Sequence, residues 1–85
     1  MISKPEALKR LSKNLKVKQE ILGISQGEVA RAVLGKDDIS TRNKVSRWFL
    51  GKVLPSTFEM FNLAEFFDCS IDSFFQKTKR GKKVS

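Results

Sequence analysis

Leu8, Leu11, Leu15 and Leu22 stand three, four and seven residues apart, with Lys9, Lys13, Lys16 and Glu20 on the other side. This is the spacing of an amphipathic helix. Ser3 and Glu6 have the form of a capping box, Pro5 falls in the first turn and Gly23 closes the pattern, so a first helix is predicted between them. Lys18 interrupts the apolar stripe, either as an aliphatic stem with its ammonium in water or as a phosphate contact. A second capping box, Ser25 with Glu28, opens a shorter helix carrying Val29, Ala30, Val33 and Leu34 before Gly35. The small Ala30 lets another helix cross closely, although alanine is also simply a good helix former.

Lys36-Asp37-Asp38-Ile39 reads as a polar connection with Ile39 turned inward, after which Ser40 or Thr41 can cap a third helix running to Leu50 and stopped by Gly51. Val45, Trp48 and Phe49 follow i, i+3, i+4 spacing and form its inner face. Asn43, Ser46 and Arg47 point away, and Arg42 lies at the exposed N-terminal end. Ser56 and Glu59, just after Pro55, begin a fourth helix that is apolar on more than one side, with Phe58, Met60, Phe61, Leu63, Ala64, Phe66 and Phe67. Ser70 is placed to cap a last short helix bearing Ile71, Phe74 and Phe75. Five helices and no strand are expected, an all-α domain over residues 1–76, followed over 77–85 by a basic tail expected to be disordered, with Lys77, Lys79, Arg80, Lys82 and Lys83.

Eighty-five residues suffice for one domain, and an apolar share of 40% with seven Phe and one Trp supplies a core without disulfides or metal. The aromatic groups Phe58/Phe61 and Phe66/Phe67/Phe74/Phe75 exceed the evident needs of that core. They either all pack inside, or form with Leu50 and Leu54 an apolar surface buried in a dimer.

Seventeen Lys and Arg against nine Asp and Glu give a net charge of +8. Such an excess favours a polyanionic partner, because neutralising phosphates releases condensed counterions. Nucleic acid and an anionic membrane surface both qualify. The membrane fits less well, since the basic residues are spread over several helices and the tail lacks apolar anchors. The start Met1-Ile2-Ser3-Lys4-Pro5 has no secretory-type apolar stretch, and no run approaches the ~20 residues of a membrane span, so a cytoplasmic protein is expected. Histidine is absent and Cys69 is the single cysteine, read as a small buried thiol. With no cysteine cluster or carboxylate pair, neither catalysis nor a metal or other cofactor is expected.

The order of several segments resembles the Cro/repressor-type (XRE-like) helix-turn-helix family from about Leu15 to Phe75. They are Gly23-Ile24-Ser25-Gln26, Glu28-Val29-Ala30, Val45-Ser46-Arg47-Trp48, Gly51-Lys52-Val53-Leu54-Pro55-Ser56, Leu63-Ala64-Glu65-Phe66-Phe67 and Ser70-Ile71-Asp72-Ser73-Phe74-Phe75. The resemblance implies a five-helix, lambda-repressor-like fold in which the second helix braces the DNA backbone and the third lies in the major groove. It implies that Gln26 bonds a phosphate and that Arg42 and Asn43 read bases, with Ser46 and Arg47 one turn further along. Arginine can grip guanine O6 and N7 as a fork, and asparagine pairs bidentately with adenine. Thr41, Lys44 and Lys52 are candidate phosphate contacts around that face, the two lysines being otherwise ordinary solvated side chains.

Two features depart from the family pattern. Leu34-Gly35-Lys36-Asp37-Asp38-Ile39 lengthens the turn between the second and third helices, as in the POU-specific branch. An Arg–Glu pair linking the first and third helices in many members is replaced by Gln19 and Phe49; loss of both charges together strands neither. The implied activity is that of a transcription regulator, a repressor binding double-stranded DNA at an inverted repeat as a homodimer and associated with the nucleoid when bound. The alternative is an antitoxin or antirepressor that grips another protein through its aromatic C-terminal half.

Overall fold

In the computed structural model, which describes residues 2–77, each α-helix begins on a side chain that accepts a hydrogen bond from its first turn. Ser3 caps α1 (Lys4–Leu22), Ser25 caps α2 (Gln26–Leu34), Asp38 caps α3 (Ile39–Phe49) and Ser56 caps α4 (Thr57–Phe67). A 3-10 helix, Ile71–Phe75, follows. The described residues contain no strand, and their regular structure is all helical. The boxes at Ser25/Glu28 and Ser56/Glu59 are reciprocal, each serine N–H donating to the glutamate that it caps. At α1 only half the box forms, because the Glu6 carboxylate accepts from Arg10 Nε at 2.9 Å instead.

The start of α3 differs from the expected one. Asp38, not Ser40 or Thr41, is the cap, and its Oδ1 accepts from the Thr41 N–H at 2.9 Å and the Thr41 hydroxyl at 2.6 Å. An ionised carboxylate is favoured at the positive end of a helix, where a hydroxyl has no charge to offer. The helix therefore starts earlier, and Ile39 becomes its first residue, 77% exposed instead of turned inward.

Leu11 and Leu15 of α1, Val29, Ala30 and Val33 of α2, Val45, Trp48 and Phe49 of α3, and Met60, Leu63 and Ala64 of α4 share one core with Phe74. Within it, α3 packs on α1 and α2, and α2 on α4, so α3 is braced from two directions while its remaining face stays outside.

The fifth element, expected as a last short helix capped by Ser70, is a 3-10 helix, and Ser70 makes no side-chain cap. Its carbonyls are drawn to α1 instead: Asn14 Nδ2 donates to the Phe74 and Gln76 carbonyls at 2.8 and 2.9 Å, and Arg10 Nη1 to that of Phe75 at 3.2 Å. Those bonds satisfy carbonyls that the end of a short helix leaves open. Phe74 is fully buried, edge-on to Phe67, and the Lys18 ammonium lies 5.4 Å from its ring centroid. Lys18 is thereby committed to a cation–π contact. Cys69 is half-buried, not enclosed, beside a groove that Phe61, Ala64 and Ile71 also line. Of the basic tail expected over 77–85, positions 78–85 lie outside the described residues. No helix among the described residues is long and apolar enough to cross a membrane.

Candidate nucleic-acid interface

Burial of Val45, Trp48 and Phe49 fixes the rotation of α3 about its axis and leaves the opposite face in solvent. Arg42, Asn43 and Arg47 are exposed there and Ser46 is half-buried. Arg42 with Ser46, and Asn43 with Arg47, are four residues apart and so share one side of the helix. α3 contains no acidic residue. Two guanidiniums, an amide and a hydroxyl are thus presented together without an anion on the same helix.

The first turn of α3 is anchored by charge. Asp37 and Arg42 occupy the positions flanking a helix start in which two apolar side chains commonly pack. Here they form an ion pair of 3.7 Å between Asp37 Oδ2 and Arg42 Nη2. Arg31 of α2 also donates to Asp37, so one carboxylate ties the connection to both helices. The Arg31 hydrogen bond, reinforced by the Arg31 and Arg42 charges, holds the Asp37 carboxyl below its ordinary range. The Arg42 guanidinium lies against Gly27, where an added Cβ would come within 3.4 Å of Nε and Nη2. The N-terminus of α2 and the first turn of α3 are therefore neighbours, which puts the half-buried Gln26 at the edge of the same surface.

Of the remaining three candidates, Thr41 and Lys44 have other side-chain engagements. The Thr41 hydroxyl proton is given to Asp38. Lys44 Nζ stands 2.6 Å from Glu59 Oε2, on a carboxylate with only 11% of its side chain exposed. Burial by itself would raise the Glu59 carboxyl. The Lys44 hydrogen bond, the Ser56 N–H and the lysine charge outweigh it, and the group lies below the ordinary glutamate value. Lys52 is exposed beyond the end of α3, its backbone N–H bonded to the Arg47 carbonyl at 2.9 Å.

Sequence pattern alone missed Gly27, Asp37 and Glu59 as supports of this face. The acidic pair before α3 was a usable signal for a carboxylate cap, whereas nothing local couples position 44 to position 59. Among the described residues no group of three or more potential ligands could hold a metal ion. No protein-family model matches the chain, and no curated protein or solved structure matches it.

Proposed function

We propose that this chain is a sequence-specific binder of double-stranded DNA, a transcription regulator of helix-turn-helix type, with α2 as the bracing helix and α3 in the major groove. One observation carries it: Arg42, Asn43, Ser46 and Arg47 line the solvent face of a helix whose opposite face is locked into the core. These side chains match the donor and acceptor patterns of base edges, with Arg suited to guanine and Asn to adenine. The overall charge of +8 supplies the non-specific attraction. In this reading Gln26 and Lys52 contact phosphates. Half of the Lys44 side chain is exposed, and an ammonium has donors to spare beyond the one used by Glu59. A phosphate contact by Thr41 requires exchange of its bond to Asp38.

A homodimer on an inverted repeat, with half-sites ~10 base pairs apart or a multiple of that, is the arrangement by which so small a reading head gains specificity. Phe58 and Phe61 support this reading, since they are 71% and 62% exposed on α4 and offer a face for a second copy. The role is that of a repressor acting in the cytoplasm at the nucleoid. The same exposed aromatics favour a second reading, in which an antitoxin or antirepressor grips another protein there.

Selection of bound duplexes from random DNA tests the proposal. An enriched inverted repeat, with guanine and adenine at the positions that respond to Arg42→Ala and Asn43→Ala, is expected. Failure to enrich any sequence would overturn it and leave the protein-gripping alternative.

A further inference from the structure

Ile39 is the first residue of α3 and is 77% exposed, an apolar residue at the end of a helix whose outer face is otherwise polar. It has no role in the start of the helix: Asp38 supplies the cap, and the flanking positions that usually pair apolar residues hold Asp37 and Arg42. Ile39 precedes Asn43 by four residues and Arg42 by three, so it stands one turn before both on the same side of α3.

We infer that Ile39 is a specificity residue that packs on the C5-methyl group of a thymine. This rests on the proposal that the N-terminal half of α3 enters the major groove. In that groove the thymine methyl is the one apolar feature of a base edge, and hydrogen-bonding side chains cannot recognise it. One helical turn advances the chain by roughly 6 Å over four residues, and base pairs succeed one another at ~3.4 Å. The thymine touched by Ile39 therefore lies one or two base pairs from the base read by Asn43. The Arg42 guanidinium is held beside Asp37 and Gly27, and Ile39 is the one apolar side chain on this end of the helix.

Uracil differs from thymine only by that methyl, so it isolates the contact. Each thymine of the selected duplex is replaced in turn by uracil, and Kd is measured for the wild type and for Ile39→Ala. This exposed substitution introduces a better helix former. One position is expected at which uracil weakens wild-type binding roughly fourfold, the effect of losing one buried methyl, while Ile39→Ala binds the two duplexes equally. If uracil weakens both proteins alike at every sensitive position, or weakens neither, the Ile39 assignment is overturned while groove reading by α3 stands. If no duplex is selected at all, groove reading itself fails and the assignment falls with it.

Discussion

The ammonium of Lys44 stands 2.6 Å from the Glu59 carboxylate, and this contact ties the outer flank of α3 to the first turn of α4. Glu59 does two things at once, since its other oxygen closes the capping box by accepting from the Ser56 N–H at 2.8 Å. A single carboxylate thus starts one helix and steadies the helix that carries the candidate interface.

Glu59→Ala removes both contacts and is expected to destabilise the fold by about 1–2 kcal/mol, the range for loss of a helix cap, in urea melts at neutral pH. The same carboxylate makes stability depend on pH. Its value in the fold lies below that in the unfolded chain, so its contribution is present at neutral pH and is lost as pH falls below the ordinary glutamate range through the lowered value. Melts from pH 7 to pH 3 should show a shallower decline for Glu59→Gln than for the wild type. Identical slopes would remove Glu59 from the account. Glu6, Asp37 and Asp38 are lowered as well, so part of the decline persists in the variant.

At the other end of α3 the Ser12 hydroxyl donates to the buried Phe49 carbonyl at 2.8 Å, satisfying one of the acceptors that every helix C-terminus leaves open. Ser12→Ala should cost about 1–3 kcal/mol by stranding that carbonyl. Gly51 sits beside it at φ 73, where an added Cβ would meet the Leu8 carbonyl and Ser12 Cβ at 3.4 Å. Gly51→Ala is expected to cost about 1–2 kcal/mol from the left-handed backbone alone. Phe49→Glu places an unpaired charge in the core and should cost a few kcal/mol. Thermal melts check all three, and an unchanged midpoint for Phe49→Glu would show that this side chain is not enclosed.

Arg42 and Lys52 should separate in DNA binding. Arg42→Ala is expected to relax preference at one base position, whereas Lys52→Ala weakens binding to all sequences and lowers the salt slope by about one. Asp37→Asn frees Arg42 from its anchor, so binding to random DNA should rise by about fivefold at most while discrimination between sites falls. Anisotropy titrations on specific and random duplexes at two salt concentrations measure these effects. Equal losses on both duplexes for Arg42→Ala would cancel its role as a reader.

The exposed aromatics of α4 carry a separate expectation. Phe58→Ser with Phe61→Ser alters solvent-facing positions and should leave the melting midpoint within a few degrees. It should convert a dimer on operator DNA into single-copy complexes in sedimentation. A wild type that binds only as a monomer would refute the dimer.

What the sequence determined by itself is local. The Ser25/Glu28 and Ser56/Glu59 boxes, the end of α1 at Gly23 and the inward set Val45, Trp48 and Phe49 are relations within about one helical turn, where backbone geometry dictates which side chains meet. The outward stripe of Arg42, Asn43 and Arg47 followed from the same period. Tertiary packing decided the rest. Lys44 meets Glu59, Ser12 meets Phe49 and Asn14 meets the Phe74 carbonyl only because separate helices cross, and no periodicity encodes a crossing. Apolar character likewise did not say which residues the core would enclose. Phe74 is fully buried while Ile39, Phe58 and Phe61 face solvent, because four helices and a 3-10 turn have only so much interior, and the positions of neighbouring elements settle which side chains occupy it.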